Sequence, residues 1–340
     1  VNWMRKGSSI AGMGASITTA LYQPFGLTQS MVRIGPKWVG RGIAKWWRGP
    51  EEMNNTVEWI YSLSSMMKNR GTVATSDMNR EIREVQSDLT EGGVLTPAAK
   101  SYFYLVVKSQ ILADVPTWLG AYEKEMEIGS GDESRAVAMA DRAVIDAQGG
   151  GQIQDQAAIQ RGGPLMKAWT NFYSFFNTTW NNTAESYRRT DFRKPDEFGK
   201  FLVDMLLLYP LPAVLSDLMK DAIMGTGDED EGFLEYALRS QVGYMLSTLV
   251  GVREFGGIAT GYMDWSGPAG VRGFEAANNL GKQIGQGDAD AALFKSAVHA
   301  AGIFLHLPSV AIMRAVEGGE ALIEGETSNP AALLLGAPKE

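Results

Sequence analysis

The chain of 340 residues contains no cysteine. This absence excludes disulfide bonds, thiolate zinc sites and a cysteine nucleophile, and it leaves the redox compartment open. Histidine is almost as scarce, since only His299 and His306 occur. Two isolated histidines on an apolar segment are typical of packed side chains, so neither a metal site nor an acid-base role is predicted for them.

Carboxylates are missing from residues 1–50, although the whole chain has a formal net charge of −8. The segment is therefore purely basic, and tryptophans are interleaved with its cations. This combination suits a membrane interface, where indole rings lie at headgroup level, or a nucleic-acid backbone. We predict contact with lipid or DNA through the cations and indoles of this segment, namely Trp3, Arg5, Lys6, Arg33, Lys37, Trp38, Arg41, Lys45, Trp46, Trp47 and Arg48.

An uninterrupted apolar run of membrane-spanning length is also lacking. Residues 7–32 carry no formal charge, but Gly, Ser, Thr and Gln are frequent there and the Gln23-Pro24 step should break a helix. Two short helices meeting at that proline are predicted, resting in an interface or lining a protein-walled channel. In the apolar region 201–224, the YPLP sequence at 209–212 leaves each half too short to cross a bilayer alone.

No stretch alternates between apolar and polar residues for long enough to demand a sheet, so we predict a nearly all-α protein. The expected architecture is a multi-helix, elongated or bundle-like arrangement with several helices broken at Pro or Gly. Main helices are predicted at 51–70, 76–90, 98–127, 134–147, 164–182, 233–252, 289–307 and 310–323. The chain divides into a basic segment (1–50), a helical region (51–148), an aromatic and YPLP-containing region (149–225) and a C-terminal helical region (226–340).

The predicted helix at 164–182 is rich in aromatic and Asn residues that no enzyme motif explains. Most of its aromatics recur at steps of three and four and so share one face, while the asparagines fall largely elsewhere and can bond to a neighbouring chain or helix. The burial tendency of aromatics favours a core helix. The alternative is a helix buried between subunits, with an assembly surface formed by Trp169, Phe172, Tyr173, Phe176 and Trp180.

Fragments of chemical motifs do not combine into a site. Gly149-Gly150-Gly151 does not lie between a strand and a helix, as a phosphate loop would, and Ser65 to Lys68 matches S-x-x-K only by itself. Glu123, Glu125 and Glu127 are typical of solvated charges near a helix end, and the basic cluster at 188–194 is offset by carboxylates. The sequence therefore predicts no catalytic residue, no cofactor and no metal site, and we do not expect this chain to be an enzyme.

Three stretches carry a resemblance to a known family: residues 140–181, which include DAQGGGQIQDQAAIQRGGPLMKAWTNFYSFFNTTW, the early TTALYQPFGLTQS at 18–30, and the closing NPAALLLGAPKE at 329–340. They resemble the C-terminal large polyvalent protein-associated region of internal virion or ejection proteins of podophages, including giant virion RNA polymerases. The resemblance spans most of the chain. Its motifs are structural, so it transfers no catalytic residue, and any polymerase or transglycosylase of a longer parent would lie elsewhere.

The resemblance implies an ejection protein that is packaged in the virion interior, expelled at infection and reassembled as a channel for viral DNA across the host cell envelope. Its implied partners are further copies of itself, other phage ejection proteins, viral DNA and the host inner membrane. A cysteine-free helical chain is compatible with this, because it forms no cross-links and refolds from local contacts. Two alternatives stay open: a capsid-internal structural protein, and a non-catalytic C-terminal domain of a giant virion-associated enzyme.

Overall fold

The structure is a computed structural model, and it describes residues 17–71, 104–149, 174–224, 291–305 and 307–337, with short or isolated positions at 7–8, 10–11, 15, 158, 162–163, 166, 276 and 280–282. Throughout these ranges the regular elements are helices and there is no strand. The all-α prediction is confirmed. The helices predicted at 76–90 and 233–252 lie outside the described residues.

Prolines and glycines set most of the boundaries in the N-terminal half. The Gln23-Pro24 step breaks the helix as predicted, because a 3₁₀ turn at Gln23–Gly26 separates α1 from α2. Pro36 and Pro50 each occupy the first turn of a helix. The helices of this half are α1 (Ile17–Tyr22), α2 (Leu27–Ile34), α3 (Pro36–Trp46), α4 (Pro50–Leu63), α5 (Ser65–Gly71), α6 (Tyr104–Ile128) and α7 (Glu133–Gln148).

The helix predicted over 51–70 is divided at Ser64 into α4 and α5. The Ser64 hydroxyl accepts a hydrogen bond from the backbone N–H of Met67 at 2.9 Å, as serine does where a helix begins. The helix α7 agrees with its predicted position, starting at the Asp132 cap and ending at Gly149, whose φ is 79°.

The C-terminal half is divided in the same way. Tyr209 interrupts the apolar region within the YPLP sequence as predicted, and Pro308 separates the last two long helices. The helices of this half are α8 (Ser174–Arg189), α9 (Pro195–Leu208), α10 (Pro210–Met224), α11 (Ala291–Leu305), α12 (Ser309–Glu324) and α13 (Ala332–Leu335).

The main core is built around α6, which packs against α3 on one side and α7 on the other. Trp118 is fully buried there, and its ring stacks on Tyr122 with 5.1 Å between the ring centroids. Trp59 of α4 meets both rings edge-on. Trp59 therefore packs on the central helix in the edge-to-face geometry that aromatic quadrupoles favour.

The helices α3 and α6 cross at two glycines. A Cβ atom at Gly42 would overlap the carbonyl group of Pro116, and one at Gly120 would overlap that of Trp38. Only glycine lets two helix backbones come this close. The crossing fixes α3, and with it most of the described part of the basic segment, against α6.

A second cluster joins α2 to α9 through Val32, Leu207, Leu208 and Tyr209. It is the packing that positions the apolar region next to the N-terminal helices. In the C-terminal part, α13 packs tightly on α12, because Gly318 lies against the backbone of Ala332. The described part of the closing sequence, residues 329–337, therefore packs on α12 through α13.

Candidate membrane and assembly surface

Most described cations of the basic segment already have acidic partners. On α3, Arg41 and Lys45 follow one another at a helical step of four, and Glu123 and Glu127 do the same on α6. Lys45 Nζ lies 2.8 Å from Glu123, and Arg41 contacts both glutamates. The hydrogen bond with Glu127 raises the pKa of Arg41 above its usual value. The basic face of α3 is thus largely neutralised within the chain.

The tryptophans of this segment divide into buried and exposed residues. Trp38 and Trp46 belong to the core, and Trp46 donates its indole N–H to the carbonyl oxygen of Met53 at 3.3 Å. Neither indole can reach lipid or DNA in this fold, because α4 and α6 surround them. Trp47 is the opposite case, since 67% of its surface is exposed.

Arg33 connects three helices. Its guanidinium contacts Asp146 of α7 and Glu185 of α8, and Arg142 reaches the same aspartate at 2.8 Å. Nearby, Lys124 donates to the carbonyl oxygen of Ile34 at the end of α2, and burial together with neighbouring guanidinium groups lowers its pKa. The guanidinium of Arg33 is therefore engaged in ion pairs within the chain.

The residues of the basic segment that remain open to a partner are Lys37, Trp47 and Arg48, all of them exposed. Lys37 lies over the Trp38 ring with 4.7 Å to its centroid, which holds the ammonium at the surface. Contact of this patch with lipid or DNA stays a prediction. Trp3, Arg5 and Lys6 lie outside the described residues.

The predicted assembly helix is described only in its second half, as α8. Trp169, Phe172 and Tyr173 lie outside the described residues, and so does the side chain of Phe176. Trp180 points away from the core, with 55% of its surface exposed. Trp180 is therefore not part of the core of the chain. Its burial between subunits of an assembly remains a prediction.

The buried face of α8 is polar. Thr179, Asn182 and Ser186 are buried, and Gln29 of α2 donates to the Thr179 hydroxyl at 3.1 Å. Asn182 donates to the backbone oxygen of Asp146 on α7 at 3.3 Å, so the expected bond from an asparagine to a neighbouring helix is confirmed at this position. Uncharged hydrogen bonds of this kind hold helices in register without burying a charge.

Large apolar side chains are exposed in a stripe along α9. Phe198, Leu202 and Leu206 recur at steps of four, and Val203 lies beside them. We call these four side chains the α9 stripe. At its start, Phe192 packs against Tyr187 with 5.1 Å between ring centroids, which continues the apolar surface towards α8. The step-of-four pattern was visible in the sequence, but nothing local showed that the face would remain uncovered.

In the part of the chain that the structure describes, one helical segment is long and apolar enough to cross a membrane by length and composition. It spans Pro195–Leu215, 21 residues, with a mean hydropathy of 1.6 over its most apolar window, and 28% of that window is buried. Asp196 and Glu197 lie in its first turn, and Asp204, its one acidic residue further along, faces inward, where it accepts a hydrogen bond from Ser186 at 2.5 Å and pairs with Arg189. The outward face of α9 is consequently apolar beyond its first turns.

A separate apolar surface lies on α12. Ile312, Val316 and Ile323 share one exposed side of that helix. We call these three side chains the α12 face. Two separate helices therefore expose groups of large apolar side chains. Isolated apolar side chains are ordinary on a protein surface, whereas groups of them indicate interaction sites.

The acids that could suggest catalysis are engaged in ion pairs. Glu123 and Glu127 neutralise α3, and Glu125 lies 2.9 Å from Arg135 while accepting hydrogen bonds from Ser130, which lower its pKa. His299 is 3.4 Å from the Ser309 hydroxyl, and His306 lies outside the described residues. Over the described ranges there is no group of three or more side chains able to hold a metal ion.

No protein-family model, curated protein or solved structure matches this chain. Its function is therefore inferred from its own sequence and surfaces.

Proposed function

We propose that this chain is a phage ejection-protein segment that self-associates at a membrane and forms or scaffolds a conduit for viral DNA across the host cell envelope. The observation that carries the proposal is the presence of two separate exposed apolar surfaces, the α9 stripe and the α12 face, on one all-helical chain. In this proposal it works without cofactor, metal or catalytic residue, first in the virion interior and then in the host envelope.

Two different apolar surfaces let a subunit associate with other copies through one and meet a further partner through the other. A head-to-tail interface joins a patch of one copy to an unlike patch of the next, and successive copies close into a ring. A surface left over from that association can meet lipid or another protein. Contiguous apolar surface of this kind marks interaction sites in soluble and membrane-associated proteins.

The internal construction supports reassembly after expulsion. The described helices are held by local helical bonds, glycine crossings and uncharged polar contacts, which form again without a covalent step. The family resemblance stated above supplies the biological context, and the ejection partners, viral DNA and the host inner membrane are part of the proposal.

Sizing separates this function from the alternatives. We expect the purified chain to form a defined oligomer in detergent and to float with liposomes, measured by light scattering and by density-gradient flotation. A capsid-internal structural protein would form a stable ring without affinity for liposomes. A non-catalytic domain of a giant enzyme would have the mass of a monomer in light scattering and would not float with liposomes. That result would contradict the proposal.

Assembly should depend on exposed apolar side chains. Ile312→Gln combined with Val316→Gln is expected to shift the oligomer towards monomer, because each change places an amide where an apolar contact is formed. Trp180→Ala tests the predicted assembly helix in the same way. Light scattering measures the mass of each variant, and circular dichroism confirms that it remains helical.

The matched control is Trp47→Ala, which removes an equally large exposed indole far along the chain from both tested positions. Its mass in the absence of lipid should equal that of the unmodified chain. If all three variants keep the unmodified mass, neither Trp180 nor the α12 face joins the subunits.

A further inference from the structure

We infer that the α9 stripe lies flat on an anionic lipid surface, with α9 parallel to the membrane plane and the cations at its start bound to lipid phosphates. The inference rests on the proposed function, and it names the partner of one of the two apolar surfaces. It assigns α9 to lipid and leaves the α12 face to contacts between copies.

Length and packing decide between lying on the membrane and crossing it. The 14 residues of α9 extend for about 21 Å, which is shorter than the roughly 30 Å hydrocarbon core of a bilayer. The 21-residue segment that continues into α10 would reach, but protein contacts cover part of its circumference. Leu207 and Leu208 pack against Val32, and the Tyr209 hydroxyl is 2.8 Å from that of Thr183.

A helix covered by protein on one side and apolar on the other has the geometry of an interfacial element. It can submerge its outer face to the depth of the upper acyl chains while its inner face stays on the protein. Leu202 and Leu206 lie at the centre of the outer face, each with about half of its surface exposed. Asp204, the only acidic residue in the second half of α9, is turned towards Ser186 and Arg189 on the inner side.

Exposed cations lie in the sequence just before and at the start of the stripe. Arg188 and Arg193 form no ion pair within the described residues, whereas the charge of the exposed Lys200 acts on Glu197 and lowers the pKa of that carboxyl. Their neighbours Arg189 and Lys194 are paired, with Asp204 and with Glu197. Exposed guanidinium and ammonium groups near an apolar face are complementary to the phosphates of anionic lipids. The Phe192 ring lies next to Phe198 of the stripe, with 6.2 Å between the ring centroids, and aromatic side chains of this kind favour the level of the headgroups.

The same charges disfavour a second copy of the chain on this surface. In a two-fold contact between α9 stripes, each patch would face its own equivalent, and Arg188, Arg193 and Lys200 would approach the same cations of the other copy. Like charges brought together across an interface weaken it. A lipid surface supplies the opposite charge and the apolar layer together.

Flotation with two vesicle compositions tests the inference, using phosphatidylcholine alone and phosphatidylcholine mixed with phosphatidylglycerol. We expect tight binding only to the mixed vesicles. Arg188→Gln, Arg193→Gln and Lys200→Gln together should weaken that binding by about a hundredfold, because each cation near an anionic surface contributes substantially. Leu202→Gln with Leu206→Gln should weaken it by at least about tenfold. The controls are Arg142→Gln for charge and Ile128→Gln for an exposed aliphatic side chain, and both should bind normally.

The absence of cysteine from the chain allows a direct measurement of contact. Leu202→Cys carrying an environment-sensitive dye should shift its emission to the blue on mixed vesicles, whereas Ile128→Cys with the same dye should not. Equal shifts at the two sites would overturn the assignment of lipid to α9.

The remaining outcomes separate the inference from the proposed function. If the chain binds both vesicle compositions equally and the triple cation variant behaves normally, membrane association stands and the anionic partner is wrong. If Leu202→Gln with Leu206→Gln lowers the oligomer mass in the absence of lipid, the stripe belongs to a second copy. If the unmodified chain binds neither vesicle, both the inference and the membrane part of the proposed function are overturned.

Discussion

Gly42→Ala and Gly120→Ala should each lower the free energy of unfolding by about 3 kcal/mol, near the upper end of what overpacking costs. The reason is that the added methyl group meets backbone, since the carbonyls of Pro116 and Trp38 occupy the space where the new Cβ atoms would lie. Flexible side chains could move aside, whereas two crossing helices must separate. Urea unfolding followed by circular dichroism measures the loss.

The matched control for this prediction lies on the same helix. Gly40 of α3 is exposed, and a Cβ atom there has no neighbour within 4 Å. Gly40→Ala should therefore stabilise the protein by up to about 1 kcal/mol, the difference between glycine and alanine in a helix interior. Substitutions two positions apart should thus have opposite signs. A similar shift for Gly40→Ala and Gly42→Ala would show that α3 and α6 do not touch at this crossing.

The second large effect is expected at the buried ion pair of Arg70 and Asp114, which joins α5 to α6. Arg70 Nε donates to Asp114 at 2.6 Å, and the same guanidinium donates to the carbonyl oxygen of Gly149 at 2.7 Å. Both side chains are almost fully buried. Burial raises the pKa of Asp114 while the charge of Arg70 opposes that rise, so the carboxylate depends on its partner to remain ionised.

Asp114→Asn should reduce the free energy of unfolding by about 3–5 kcal/mol, because it leaves the Arg70 charge buried without a counter-ion. Arg70→Met should have a similar effect for the opposite charge. The double variant is expected to lose much less than the sum of the two, since the orphaned charge is then absent. Urea unfolding of the four proteins gives the coupling free energy directly.

Arg142→Met is the control for this cycle. The Arg142 side chain is 64% exposed, and its partner Asp146, four residues further along the helix, keeps its second ion pair with Arg33, so the loss of Arg142 should change stability by about 0.5 kcal/mol or less. If the two losses at Arg70 and Asp114 simply add, the two groups do not act as a pair. In that case the connection between α5 and α6 rests on the packing of Met67 in the main core.

The α9 stripe and the basic segment show why part of the functional surface could be predicted from the sequence and part could not. The sequence shows the step of four between Leu202 and Leu206, because helical periodicity is local. It does not show whether Trp38 or Trp47 is exposed, because the two indoles have the same local chemistry. Only the glycine crossing of α3 and α6 decides that one is enclosed and the other remains outside.

The sequence by itself determined the helical class, the breaks at Pro24, Tyr209 and Pro308, and the lack of thiol chemistry. These follow from the backbone restrictions of proline, from periodicity and from composition, all of which act over a few residues. The tertiary structure alone decided which charged side chains form ion pairs within the chain. Arg41 meets Glu127 across 86 positions of sequence, whereas Arg188 and Arg193 are exposed at the surface. Coulomb attraction depends on distance in space, and only the packed helices set that distance.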